Sequence, residues 1–163
     1  MSSVRVSSVG HTGITVADLD RSIHFYREVL GLPVSQPVRC TGEMFEKITG
    51  VAGAEIDVAF VRAPGHVVEL LCYRKPEGRV RSTLRSCDPG FWHLALKVSD
   101  IERVVAAVGR AGFQPLGAVQ AVSEGPLSGL KVVYVRDPDG IVLELIEEPP
   151  GVVLEELYLA SAT

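Results

Sequence analysis

Hydrophobic and polar positions alternate along SSVGHTGITV, Ser7 to Val16, and predict a β-strand. With a period of two, Ile14 and Val16 fall on one side and His11, Gly13 and Thr15 on the other. The period then lengthens. Asp18 is a good N-cap, and Leu19, Ile23, Tyr26 and Leu30 recur at helical spacing over Leu19 to Leu30. Gly31 stands where a left-handed C-cap ends a helix, and Pro33 and Pro37 mark the exit. Residues 38–55 show no clear period, apart from a short helical turn over Met44 to Ile48 beside a strand. IDVAFVR (56–62) and HVVELLCY (66–73) flank Ala63-Pro64-Gly65 as the arms of a hairpin. From Arg74 to Gly90 the chain turns polar and basic, with a proline near each end, and reads as a linker.

After the linker the same order begins again. WHLALKV (92–98) predicts a strand with Trp92, Leu94, Leu96 and Val98 on its apolar side and His93 opposing them. Ser99-Asp100-Ile101-Glu102 has the form of a capping box, and Ile101, Val104, Val105 and Val108 continue a helical stripe that Gly112 closes. Pro115 to Gly129 is irregular. KVVYVR (131–136) and IVLELIEE (141–148) then make a second hairpin around Asp137-Pro138-Asp139-Gly140. Pro149-Pro150-Gly151 ends the fold, and the tail VVLEELYLAS (152–161) reads as a short docking helix.

The two halves are one pattern used twice. Aligning His11 with His93 lays HTGITVADLDRS over HLALKVSDIERV, matching Val16 with Val98, Asp18 with Asp100, Leu19 with Ile101 and Arg21 with Arg103. Pro33 and Pro115 follow their histidines by the same 22 residues. Further on, VVELL (67–71) matches VLELI (142–146) and pairs Glu69 with Glu144. The His-to-Glu separations are 58 and 51 residues, and the seven extra residues fit in the ambiguous 38–55 stretch. Each half is a strand, a helix and three more strands, and two such units can cover an apolar sheet face that one alone cannot. The expected fold class is therefore α+β, with paired βαβββ modules forming a curved mixed-sheet cleft. Module 1 is about 8–73 and module 2 about 91–148, within one domain over 1–148; the linker is 74–90 and the tail 149–163.

Parity places His11, His93 and Glu144 on the faces opposite the helices, and Glu69, in a strand apolar on both sides as suits a central strand, can project the same way. A carboxylate in an apolar strand is costly to desolvate without a partner. Two carboxylates and two imidazoles at matched positions are a donor set for one divalent cation, whose charge the carboxylates balance. The bulk composition narrows the classes further. Sixteen basic residues stand against 20 acidic ones, a net charge of −4, which argues against a nucleic-acid groove. No apolar run nears the roughly 18 residues that span a bilayer, and MSSVRVSSVG lacks the apolar core of a secretory signal. Cys40, Cys72 and Cys87 are odd in number and form no CxxC pair, so free thiols in a reducing, cytoplasmic setting are expected.

At HTGITVADLDRSIHFYREVLGL, VVELLCY, WHLALKVSD and YVRDPDGIVLELIEE the chain resembles the vicinal oxygen chelate superfamily, over roughly residues 8 to 148. That group includes glyoxalase I, methylmalonyl-CoA epimerase, extradiol dioxygenases and the fosfomycin- and bleomycin-resistance proteins. The resemblance implies a metal-bearing cleft that chelates two neighbouring oxygens of a small substrate and stabilises an enediolate. The complete His, Glu, His, Glu set is similar to that of glyoxalase I-like enzymes, so a lyase or isomerase is the first expectation. The metal is Zn, Ni, Co, Mn or Fe, and a homodimer is expected. Glu144 is expected as the main base and Glu69 as a supporting ligand with catalytic standing. Glyoxalases often carry an Arg in the first strand for glutathione, whereas Thr12, Gly13 and Thr15 stand here; methylmalonyl-CoA epimerases tend to a His-His pair where Trp92-His93 stands. The alternatives are a non-haem Fe(II) ring-cleaving dioxygenase using His11, His93 and Glu144, with Tyr134 in that signature's tyrosine place, and a binding or resistance protein. His24 and His66 read as surface histidines. Arg74, Lys75, Arg79, Arg81 and Arg85 read as a solvated loop or a hold for an anionic substrate tail, and Glu43 and Glu46 as solvated turn residues or a second base.

Overall fold

Thr12–Thr15 is the first strand, β1, shorter than the alternation suggested, and its burial follows the expected parity: Ile14 and Val16 are buried while Gly13 and Thr15 are exposed. The computed structural model describes residues 4–154, and it falls into two units divided between Val80 and Arg81. Most of the expected tail helix lies outside the described residues.

In the first unit, Asp18 caps α1 (Leu19–His24) by accepting the Arg21 N–H at 3.0 Å. The helix does not continue as α to Leu30. It widens into a π turn over Phe25–Val29, where the Leu30 N–H reaches the Phe25 carbonyl at 3.1 Å. The wider turn lets neighbouring Phe25 and Tyr26 both sink into the core, edge to face at 5.2 Å between ring centroids. Leu30, expected on the buried stripe, is only half-buried. Gly31 takes the expected left-handed backbone, with φ of 68°.

The unreadable stretch holds β2 (Val38–Thr41) and α2 (Glu43–Thr49). Then β3 (Glu55–Ala63) and β4 (His66–Lys75) form the hairpin, with Ala63 opposite His66 and only Pro64-Gly65 in the turn. The sheet order is β1-β4-β3-β2, with β1 parallel to β4 and the rest antiparallel. Ala59, Val61, Val68, Leu70 and Cys72 line the buried side, where α1 packs on β3 and β4. Each fully buried Val or Leu there contributes about 1.5–3 kcal/mol of transfer free energy. The other side carries Ile56 and Val58 in a cluster with Leu71 and Tyr73.

The second unit repeats the plan. β5 (Leu94–Lys97) leads into α3 (Ile101–Arg110), followed by the two-residue strands β6 (Gln114–Pro115) and β7 (Gln120–Ala121), then β8 (Lys131–Arg136) and β9 (Val142–Glu147). The order is β5-β9-β8-β6, with β7 also on β8 and β5 parallel to β9. Two details correct the expectations. Trp92 precedes the strand and is exposed, since β5 begins only at Leu94. The capping box does not form, because the N-cap is Asp100, accepting the Arg103 N–H, which moves Glu102 out of position. The Ile101 N–H goes instead to Glu147 Oε2 on β9 at 2.6 Å.

The basic segment is exposed from Arg74 to Cys87, as a solvated loop is, and several of its charges are paired. Arg74 and Lys75 end β4 and pair with Asp57 and Glu55 on β3. Arg85 pairs with Asp88, and Arg79 donates to the Pro76 carbonyl. Arg81 lies 3.8 Å from Asp139. Cys40, Cys72 and Cys87 are free. Among the described residues no helix is long and apolar enough to cross a membrane.

Candidate metal centre

Glu69 alternates with buried Val68 and Leu70 along β4, so its carboxylate stands on the face opposite α1. Its partner across the parallel β1–β4 pairing is Gly13. In the second unit Glu144 pairs with Ala95 across β5 and β9. Gly13 and Ala95 each follow a histidine by two residues, His11 and His93. The two halves therefore place imidazole and carboxylate in the same register. Two strand residues are about 6.6 Å, a gap the two side chains close from opposite ends. His11 Nε2 lies 3.1 Å from Glu69 Oε2, and His93 Nε2 lies 2.9 Å from Glu144 Oε2. The carboxylates are mostly shielded, at 20% and 19% exposure, and the imidazoles are more open.

The strand on the far side of each glutamate carries an aromatic residue directly opposite it, Phe60 for Glu69 and Tyr134 for Glu144. Tyr134 lies against His93, with ring centroids 4.8 Å apart, and stacks with Phe91 at 6.4 Å. Burial, and then the Glu144 charge, raise the Tyr134 hydroxyl above the ordinary phenol value, so it stays protonated at neutral pH. Gly13 keeps space open beside the first pair: a Cβ there would meet Leu71 Cδ1 at 3.3 Å and Glu69 Oε2 at 3.7 Å.

The donor chemistry fits a divalent ion. Ligands bonded at about 2.1 Å lie about 3.0 Å apart at the right angles of an octahedral site and about 3.4 Å apart in a tetrahedral one, and the separations within the pairs are close to the first. Among the described residues no group of three or more His, Cys, Asp or Glu side chains is gathered, and the four expected ligands stand as two pairs, His11 with Glu69 and His93 with Glu144.

Other candidates go elsewhere. His66 Nε2 is 2.8 Å from Thr12 Oγ1, and His24 is exposed on α1. Glu43 pairs with Lys47 along α2. Sequence reasoning passed over Asp57, a buried carboxylate in β3 held by Arg39 and Arg74, with the Arg74 Nε bond at 2.6 Å. The bond from Arg39, stronger than the opposing effect of burial and joined by that from Arg74, holds its pKa below the usual carboxylate range. The signal was present, since an acidic residue inside IDVAFVR raises the same question as one inside HVVELLCY.

Residues 8–145 match the model of the Glyoxalase/Bleomycin resistance protein/Dioxygenase superfamily, and the chain belongs to that family. It is 32% identical over 136 residues to a 2-epi-5-epi-valiolone epimerase from Actinomyces sp, covering 80% of this chain and 74% of the relative. A glyoxalase family protein from Bacillus cereus has the same fold, at a TM-score of 0.77 and 23% identity, with 91% of this chain and 98% of that one covered. A fosfomycin resistance protein from Mesorhizobium loti superposes with a TM-score of 0.56 at 17% identity, over 94% of this chain and 99% of that one.

Proposed function

We propose that this chain is a divalent-metal-dependent isomerase, an epimerase of a small ketone bearing a hydroxyl next to its carbonyl. The observation that carries the reading is the pair of His–Glu contacts at 3.1 and 2.9 Å in identical strand registers of two repeated units. His11, Glu69, His93 and Glu144 are the donors, drawn from one chain or from two copies in a homodimer. A bound divalent ion would polarise two adjacent substrate oxygens and lower the energy of the enediolate left when the neighbouring C–H proton departs. Glu144 takes that proton and returns it, and Glu69 balances charge and supports the site. Phe60 beside Glu69 and Tyr134 with Phe91 beside His93 keep each pair partly shielded, which strengthens its electrostatics. The 32% identity to an epimerase favours this branch, and the absence of an Arg after His11 speaks against a glutathione substrate.

The test uses 2-epi-5-epi-valiolone, the ketone in that relative's name, in deuterium oxide with Zn, Ni, Co, Mn or Fe supplied in turn. Deuterium should enter one carbon beside the carbonyl, and chelation should stop it. His93→Ala should lose most of the metal. Absence of exchange with every metal would end the epimerase assignment for this substrate, and undiminished metal in His93→Ala would end the site. Tyr134 against His93 keeps the Fe(II) dioxygenase as a second reading. Near one equivalent of iron with oxygen uptake on catechols would select it.

A further inference from the structure

The repeat runs one step further than the ligands. Phe60-Val61-Arg62 in β3 aligns with Tyr134-Val135-Arg136 in β8, because Phe60 pairs with Glu69 and Tyr134 with Glu144. Arg62 and Arg136 therefore occupy one structural position, opposite Val67 and Val142. By strand alternation each stands on the face that carries its His–Glu pair. The two arginines are used differently. Arg136 Nη2 donates to the Leu84 carbonyl at 2.7 Å and is held by the backbone of the preceding segment. The Arg62 side chain is exposed and has no hydrogen-bond or ion-pair partner among the described residues.

Arg62 also lines a cleft of about 430 Å³ with Pro33, Val34, Ser35, Phe60 and Val67, and it carries the only charge in that lining. The outer wall is fixed along β3. Ser35 donates its N–H to the Phe60 carbonyl at 2.9 Å, and Arg62 donates its own to Pro33 at 2.9 Å. The Phe60 N–H reaches Ser35 Oγ at 3.0 Å. Thr12 pairs with Val68, so His11 extends the row formed by Val67 and Arg62. Two residues along and one strand across put the Arg62 and Glu69 Cα atoms about 8 Å apart.

We propose that Arg62 and this cleft form a subsite for an anionic substituent, a phosphate ester or a carboxylate, carried a few bonds from the oxygens that the His11–Glu69 pair serves. The inference rests on the metal-site reading for what those oxygens do, while the anion contact depends on Arg62 alone. A planar guanidinium offers two parallel donors to either anion, and such bonds are the stronger kind. Arg136, committed to Leu84, supplies the internal control.

Binding would be measured calorimetrically for two matched pairs of probes. Dihydroxyacetone phosphate is set against dihydroxyacetone, and 2-oxoglutarate against 2-oxobutanoate. At least one anionic member should bind about tenfold tighter than its partner, and the pair that shows the preference names the anion. Arg62→Gln should erase that preference and leave the binding of its partner unchanged, whereas Arg136→Gln should retain it. Equal binding within both pairs, or a preference that survives Arg62→Gln, would overturn the proposal. Repeating the titration after chelation separates the two readings. A preference that persists while affinity for the partner is unchanged would count against the metal site and leave the subsite standing.

Discussion

Asp57→Asn keeps the shape of a buried side chain and removes its charge. Asp57 is 7% exposed on β3, accepts Nε and Nη2 of Arg39 and accepts Nε of Arg74. Breaking a fully buried ion pair costs about 3–5 kcal/mol. Both arginine side chains here are half exposed, at 55% and 50%, and recover water once the carboxylate is gone. The loss should therefore fall toward that of charge-assisted hydrogen bonds, about 2 kcal/mol. For a domain unfolding in urea this moves the midpoint by about 1 M. The pH dependence gives a second reading. The Asp57 pKa is held below its ordinary value in the folded chain, so its stabilisation is complete above the unfolded value near 4. It is lost as pH falls through the lower folded value. Urea unfolding followed by circular dichroism should show the full gap between wild type and Asp57→Asn at pH 7, narrowing below about pH 4. Equal midpoints at pH 7, or a gap that stays constant into acid, would refute the argument.

Gly140→Ala should destabilise the second unit by about 3 kcal/mol or more, because its φ is 91° and a Cβ would sit 2.0 Å from the Ser82 carbonyl oxygen. Gly151→Ala, left-handed but in open space, should cost about 1 kcal/mol, and urea unfolding followed by circular dichroism measures both variants. Gly13→Ala should change metal affinity little, since the flexible end of Leu71 can yield and the matching position is already Ala95. Gly13→Val should weaken it about tenfold in a metal titration, by pushing the Glu69 carboxylate from His11.

Legibility followed the strength of the local period. Parity oriented His11 where Ile14 and Val16 are buried and Gly13 and Thr15 open, and it oriented Glu144 between Leu143 and Leu145 although Val142 and Ile146 on its own face are buried as well. The repeat matched His11 with His93 and Glu69 with Glu144, but the parallel pairing of β1 with β4 and of β5 with β9, in one shared register, came only from the structure. What stayed hidden was set by contacts from elsewhere in the chain. The π turn at Phe25 exists because two adjacent aromatics find room in one core, which a spacing rule does not encode. Glu147 reaches the start of α3 from 46 residues away, so a local capping box was the wrong place to look. The Phe60/Tyr134 and Arg62/Arg136 matches lay one strand beyond the VVELL/VLELI alignment and needed the observed register to be seen.

The assignment of Glu144 as the base, proposed above, makes the sharpest demand on the site. The two carboxylates share register, donor distance and shielding, yet the aromatic residue opposite each differs. Glu69 faces the hydrocarbon ring of Phe60, while Glu144 faces Tyr134, whose hydroxyl keeps its proton and lies on the same strand face. A hydroxyl near a proton-moving carboxylate can hydrogen-bond the substrate oxygen that gains charge as the C–H bond breaks. Phe60 has no such group, so only the second half presents both a base and a neutral donor. Gln at each position preserves shape and removes the base, and excess metal restores occupancy lost with the charge. Under those conditions Glu144→Gln should stay metal-loaded and lose catalysed exchange of the substrate C–H with deuterium oxide by 100-fold or more, to the order of 10²–10⁴ that acid–base catalysis contributes. Glu69→Gln should bind metal more weakly but exchange once loaded. Tyr134→Phe, which makes the second half resemble the first, should retain the metal and lower kcat more than it raises KM. Exchange that survives in Glu144→Gln and vanishes in Glu69→Gln would reverse the roles. Normal exchange in both would remove the carboxylates from proton transfer altogether.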